Sequence, residues 1–552
     1  MDQQELARIL EEMYDNPAGA GLTTTGNARK KTMVHLFGIM FAQEIQECGD
    51  APTRTAREIA QGAGIPKSYR MDIDRGRLLA ELRDRARQES LEMARLTCRY
   101  GIAAVLLAWI LVAPTSAQEA GATHDWPQWR GVDRDAVWRD TGLVERFPDD
   151  GLAVKWRVPV RGGFAGPAVA DGRVFVLDYA ETPGSRTMDG NERLVVLDEE
   201  TGDLLWTQEW PATYRNIHFK FATGPRATPT VEGGRVYILG AAGMLSCFDT
   251  ATGDLVWRID TQAEYGVTVP VYGVSQSPLV EGDLLIVVLG GEPDAKIAAF
   301  DKATGEEVWR ALENNSETGY ASPIVIDAGG ARQLIVWHAT AITSLDPATG
   351  EVWWEQPFQI GGGLSITTPV RNGRYLVVSQ FFNGAMMLAL NADRPAARVL
   401  WRGRNRGELP EQTDTLHAIL STPIVVGDHL YGVGSYGELR GIDATSGERL
   451  WQSDRMNAQD RWATAYFVRN GDRYFVTNDS GDLIIAWFTP EGYREIDRTR
   501  LLAPTTRTQG GATGRWGDRA VLWAHPAFAN RHVVARNDAE VVRLSLDAAD
   551  YE

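Results

Sequence analysis

Asp249-Thr-Ala-Thr-Gly-Asp-Leu-Val-Trp257 is followed, 52 residues on from Trp to Trp, by Asp301-Lys-Ala-Thr-Gly-Glu-Glu-Val-Trp309. The shared pattern D-x-x-[T/S]-G-x-x-x-W occurs five times, from Asp198 to Trp206, Asp249 to Trp257, Asp301 to Trp309, Asp346 to Trp354 and Asp443 to Trp451. With a degenerate copy at Trp401, successive tryptophans stand 51, 52, 45, 47 and 50 residues apart. Such a period is the size of one four-stranded propeller blade. Within each copy, Asp and Thr or Ser hydrogen-bond into a tight turn, and Gly accepts a positive φ. Trp falls on the outer strand, where its ring can fill the space between sheets.

A second motif keeps step with the first: a small residue, Pro and apolar positions, then a Gly turn and an alternating strand. It stands at Gly166-Pro167-Ala-Val169, Thr228-Pro229-Thr-Val231, Ser277-Pro278-Leu-Val280, Ser322-Pro323-Ile-Val325, Thr368-Pro369-Val370 and Thr422-Pro423-Ile-Val425. Ala463-Thr-Ala-Tyr466 and His525-Pro526-Ala-Phe528 are variants, which makes eight innermost strands. Pro is tolerated at strand starts, so its position at the head of an inner strand is permissible. The last blade supplies only three strands before the chain ends, near 525–528, 532–536 and 540–546. A surplus strand with the right Trp precedes the first blade, at residues 153–160 (AVKWRVPV). These residues are expected to complete the last blade and close the ring, with Trp126-Pro-Gln-Trp129-Arg130-Gly131 packing across the junction.

These repeats resemble the PQQ-like, or quinoprotein-type, β-propeller over roughly residues 120–550. The opening DWPQWRG from Asp125 to Gly131 and the closing HPAFANRHVVARND from His525 to Asp538 are similar to secreted bacterial PQQ-binding-like repeat proteins, often named by analogy with BamB. The resemblance implies a mainly β chain, an eight-bladed propeller of four-stranded antiparallel blades over residues 118–552. By itself it does not imply the quinone.

Composition sets the outer limits. Of 552 residues, 44% are hydrophobic, 23% charged and 56 are Gly, which excludes a disordered chain, a coiled coil and a polytopic membrane protein. The formal charge of −17 disfavours a broad nucleic-acid groove. Cys48, Cys98 and Cys247 are too scattered for a zinc site or a disulfide framework, and Cys247 reads as a small buried hydrophobe.

Residues 93–117 carry the grammar of export: Arg95 and Arg99, then the apolar run 101–113 (GIAAVLLAWILVA), then small residues ending at Ala117. Two alternatives remain: a signal peptide cleaved near Ala117, giving a periplasmic or secreted protein, or an uncleaved single-pass anchor. Residues 1–92 read as a small helical segment that resembles a helix-turn-helix-like domain, with Lys67, Arg70, Arg75 and Arg77 on its second helix. That segment is either a start-site artefact or fusion upstream of a true start at Met93, or a genuine cytosolic domain. Nucleic acid is a partner only in the second case, and the membrane only if the 101–113 run is uncleaved.

Three functional readings follow. The first is an exported, non-catalytic propeller that binds or scaffolds a protein, peptide or small ligand at the mouth of the ring. The second is a PQQ- and calcium-dependent quinoprotein alcohol-type dehydrogenase; the resemblance implies an adjacent Cys pair for that activity, and this chain lacks one. The third is a membrane-anchored sensor joining a cytosolic DNA-binding domain to an extracytoplasmic propeller. BamB-type lipoproteins need a Cys directly after the apolar run, where this chain has Gln118 and Glu119. Residues ahead of the inner strands should converge on the funnel, which selects His218, Arg226, Gln276, Tyr320, Ser365, His417 and His525. Together His218, Arg226, His417 and His525 suggest a mouth able to meet a carboxylate or phosphate, or to hold a metal weakly. No Ser-His-Asp order, nucleotide loop or His-x-x-x-His pair designates a catalytic or metal site.

Overall fold

The computed structural model describes residues 124–217, 223–313, 316–404, 407–507 and 519–552, all within the unit Glu119–Glu552. The expected helical segment, the export signal and His218 lie outside the described residues. Among the described residues no helix is long and apolar enough to cross a membrane.

Eight four-stranded antiparallel sheets follow one another along the chain. Their innermost strands are Ala168–Ala170, Thr230–Glu232, Leu279–Glu281, Ile324–Ala328, Val370–Asn372, Ile424–Val426, Ala465–Asn470 and Ala527–Ala529, which head blades 1 to 8 in that order. In blade 8 the fourth strand is Val154–Pro159, which pairs with Glu540–Ser545. Both ends of the propeller therefore share one sheet, as the strand arithmetic requires, and no blade is left with an open ring edge.

The outer strands carry a feature that the repeat spacing does not announce. In blade 2, Trp257 pairs with Cys247 while Leu255 pairs with Phe248, so Val256 is an extra residue in a bulge. The same shift precedes Trp206, Trp309, Trp354, Trp401, Trp451 and Trp156. Alternation would put two residues spaced by two on one face; the bulge puts them on opposite faces. Each Trp can then face the next blade; the bulged residue is exposed at Val256 and Val308, 38% and 52%, while Trp353 and Leu400 pack partly against the cores.

The tryptophan and the glycine of the motif meet across blades. A Cβ on Gly253 would stand 2.7 Å from the Trp206 ring, one on Gly305 2.8 Å from Trp257, and one on Gly447 2.7 Å from Trp401. Each indole lies on the turn of the following blade, and its Nε1 donates to a carbonyl there: Trp206 to Thr250, Trp257 to Lys302, Trp309 to Pro347, Trp401 to Ala444. Trp354 departs from this rule because blade 5 has Asn391-Ala-Asp-Arg-Pro395 in place of the Gly turn; its Nε1 donates to Gln333 Oε1 of its own blade. The aspartates act within their turns: Asp249 Oδ1 accepts from the N–H groups of Ala251 and Thr252, and Asp301 does the same with Ala303 and Thr304.

The hydrophobic cores lie in the gaps between blades. Phe248 packs with blade 1 residues such as Phe175 and Trp210, whereas its strand neighbour Cys247 packs with Leu285 and Phe300 of blade 3. Cys247 is fully buried and its thiol is pushed up to about 12 by desolvation.

Residues 124–147 form a strap that does more than cover the junction. Trp126 exchanges backbone hydrogen bonds with Val169 of blade 1, and Pro127 O accepts from Val231 N of blade 2. Arg134 reaches the carbonyls of Ser277, Pro278 and Pro323 in blades 3 and 4. Trp129 Nε1 donates to Thr368 Oγ1 of blade 5, Trp138 N donates to Arg469 O of blade 7, and Trp126 packs on Phe528 of blade 8. A segment that touches inner strands on every side of the ring lies across the central channel.

Candidate functional site

The hydroxyls of the second motif join one blade to the next around the channel. Thr228 N donates to Ser277 Oγ, Ser277 N to Ser322 Oγ, and Thr368 N to Thr422 Oγ1. This explains why Ser or Thr, and not merely a small residue, precedes Pro. Blade 1 has Gly166 there because the His525 imidazole of blade 8 occupies the space; a Cβ on Gly166 would be 2.2 Å from that ring. His525 also meets Thr228 Oγ1 through Nε2 at 2.7 Å.

Above this ring a cavity of about 190 Å³ opens at the mouth. Trp129 of the strap is its floor, with the His525 ring set edge-on at 4.2 Å. Phe164, Tyr272, Tyr320, Trp462, Tyr466 and Trp523 supply aromatic walls, and Leu364, Ile366, Ile419 and Leu420 complete an apolar lining. Arg226 brings a guanidinium into it, 5.8 Å from the Phe164 ring centroid. Burial lowers the Arg226 pKa against the opposing pull of Tyr214, Tyr320, Tyr272 and Glu192. Burial likewise holds His525 down at about 4, so the imidazole is neutral at pH 7.

Two walls are set by local backbone and packing. Trp462 has φ of 67°, a left-handed conformation that a bulky residue adopts only under constraint. Beside it the Arg461 guanidinium lies 4.1 Å over Trp462 and 5.1 Å over Phe381 while pairing with Glu408. Trp523 is fixed through its carbonyl, which accepts from Tyr466 OH; its own buried Nε1 finds no acceptor among the described residues.

The structure thus brings Arg226, Tyr320 and His525 into one cavity. Gln276 instead spans two blades, its Nε2 donating to Gly319 O at 2.6 Å. Ser365 is fully buried beside Gly319 and lies behind the lining residues Leu364 and Ile366. His417 is fully buried between Phe381 O, 2.9 Å from Nδ1, and Asp414, 3.3 Å from Nε2. Alternation explains the first two placements, because the lining residues Ser275 and Ser277 flank Gln276, and Leu364 and Ile366 flank Ser365, whereas neither neighbour of His417 lines the cavity. The reasoning from position missed Trp129, Trp462, Tyr466 and Trp523. A usable signal was present in Arg461-Trp462 and Trp523-Ala-His525, where aromatic residues stand immediately ahead of inner strands.

The lining does not fit a quinone and calcium pair. Calcium takes six to eight oxygen ligands, carboxylates foremost, and the described lining contains no carboxylate. Among the described residues no three His, Cys, Asp or Glu stand together as a metal site. Pyrroloquinoline quinone carries three carboxylates, against which the described lining sets Arg226 and a neutral His525.

Comparison with known proteins bears on the ring as a whole. The family described as outer membrane protein assembly factor BamB matches residues 148–217, 190–359 and 338–511. A family described as an HTH-like domain matches residues 2–82. The outer membrane protein assembly factor BamB of Burkholderia pseudomallei (strain K96243) is 24% identical over 273 residues, 42% of this chain and 66% of that protein. The quinohemoprotein alcohol dehydrogenase of Comamonas testosteroni is 27% identical over 194 residues, 32% of this chain and 24% of that protein. The crystal structure of the quinohemoprotein alcohol dehydrogenase from Comamonas testosteroni aligns with a TM-score of 0.50 at 14% identity, over 77% of this chain and 81% of that one. At such identity the likeness concerns the fold.

Proposed function

This chain belongs to the family described as outer membrane protein assembly factor BamB, and from that premise we propose that it is an exported binding propeller whose ring mouth takes a protein, peptide or small ligand. The aromatic cavity floored by Trp129 and entered by Arg226 carries this reading. A cavity of 150 Å³ lined by apolar side chains binds benzene, so about 190 Å³ suits one ring-sized group. The walls offer ring faces and edges, and Arg226 favours an anionic or hydrogen-bond-accepting substituent. The occupant is therefore an aromatic group bearing a carboxylate or similar acceptor, free or at the end of a peptide. Residues 93–117 support export, with the propeller released after Ala117; N-terminal sequencing of the protein from its native membrane and soluble fractions tests this.

Binding is tested by titrating phenylacetate, N-acetylphenylalanine and phenethylamine while following tryptophan fluorescence, since three indoles wall the cavity. The anions are expected to bind at least tenfold more tightly than the amine, with the preference lost in Arg226→Gln. No response to any of the three would sink the reading. Stoichiometric uptake of pyrroloquinoline quinone with calcium would replace it by the dehydrogenase reading.

A further inference from the structure

Blade 5 is charged unlike the protein that contains it. From Thr368 to Arg404 the chain has six arginines, Arg371, Arg374, Arg394, Arg398, Arg402 and Arg404, and one acidic residue, Asp393, in a protein of formal charge −17. All six arginines are exposed, and none forms an ion pair among the described residues. Topology arranges them as a track. Arg371 and Arg374 flank the hairpin turn between Val370–Asn372 and Tyr375–Gln380 on the underside, and Arg394 lies in the next underside turn. Arg398 and Arg402 climb the outermost strand Ala397–Arg402, and Arg404 follows it toward the mouth face.

We propose that this underside-to-rim track of blade 5 docks an extended acidic polypeptide segment. Ala397–Arg402 is the edge strand of its sheet, six residues or about 20 Å long, and an edge is a template for one more strand. Val399, 37% exposed between Arg398 and Arg402, offers an apolar footing beside the charges. On the underside the track continues into a groove between blades 4 and 5 lined by Arg371, Arg374 and Asn391, where Arg332 is paired with Glu281 and Asp327. Edge strands carry charge simply to avoid aggregation, which accounts for Arg398 and Arg402. It does not account for Arg371 and Arg374, which sit at the innermost hairpin. A membrane needs a flat basic face, whereas this track turns from the underside onto the rim.

The test uses the full chain and a fluorescein-labelled twelve-residue peptide of alternating Glu and Val, compared with its Gln-Val counterpart, followed by anisotropy. The acidic peptide is expected to bind, weakening as salt rises. Binding should fall at least tenfold in R398Q/R402Q and in R371Q/R374Q, and stay unchanged in R449Q on the rim of blade 6. Near-UV circular dichroism confirms folding, and single Arg402→Gln serves if a double variant unfolds. Equal binding of the Gln-Val peptide, or wild-type affinity in the blade 5 variants, overturns the proposal. So does tighter capture of phosphatidylglycerol vesicles or single-stranded DNA lost in those variants, which assigns the track to another partner class.

Discussion

The rim and the centre of this ring solve opposite problems. At the rim, one small set of residues is reused: an indole from one blade lies over a glycine of the next, as Trp257 does over Gly305 and Trp206 over Gly253. In the cavity above the Ser/Thr ring nothing repeats. Each blade contributes a different side chain to the cavity, Arg226 from one, Tyr320 from another, Trp462 and His525 from others, and the floor comes from a strap outside the repeat. Symmetric contacts hold a scaffold together, while unlike contacts at its axis create a shape that can choose a ligand.

That contrast can be broken at either end. Trp257→Ala should cost about 3–5 kcal/mol in chemical denaturation, because the ring is 9% exposed and fills the gap toward Phe300 and Leu285. A loss under about 1 kcal/mol would show that the rim contacts do not support the ring. At the centre, Arg134→Ala strands the carbonyls of Ser277, Pro278 and Pro323, at about 1–3 kcal/mol. It should also loosen the cavity floor, so that probe affinity falls together with stability. Gly305→Ala at φ of 77° should cost at least the ~1–2 kcal/mol of left-handed backbone, with probe binding retained.

Acid should act in two stages. Burial holds His338, His525 and His532 at about 4 when folded, against about 6.5 unfolded. Their contribution to stability is complete above pH 6.5 and is lost as pH falls toward 4. The turn carboxylates Asp198, Asp249, Asp301 and Asp443 are lowered mainly by hydrogen bonds within their turns, so their contribution is lost only below about 4. Melting temperatures across pH 7 to 3 should fall in these two stages, and His525→Gln should flatten only the first. The smallest effect on stability belongs to Arg226→Gln, expected to shift the melting temperature by no more than a few degrees while abolishing the preference for anionic probes; an unaltered preference would place the anion elsewhere.

The legibility of the molecule follows the same division. The D-x-x-[T/S]-G-x-x-x-W copies, the eight inner-strand heads and the surplus strand at 153–160 define blade number and closure, because a repeated packing problem leaves a repeated residue pattern. The bulge before each Trp left no such mark, since it adds no residue type of its own: Leu205, Val256 and Val308 are simply exposed aliphatic residues. At the mouth, Arg226, Tyr320 and His525 could be nominated from their place ahead of inner strands. Gln276, Ser365 and His417 had the same qualification, yet they bond between blades or lie buried behind the wall. One step of strand alternation separates a wall residue from a hidden one, and loops do not announce that step.

By itself, then, the amino-acid sequence determined the propeller, its eight blades, the Velcro-like joining of both ends and the acidic balance, all of which depend on local turns and on periodic burial. Tertiary structure alone decided that the strap around Trp129 crosses the channel, that Trp462 and Trp523 wall the cavity, and that the arginines of blade 5 form one exposed track. The strap joins residues hundreds of positions apart, as Trp129 joins Thr368 and His525, and only the closed ring brings such residues into contact.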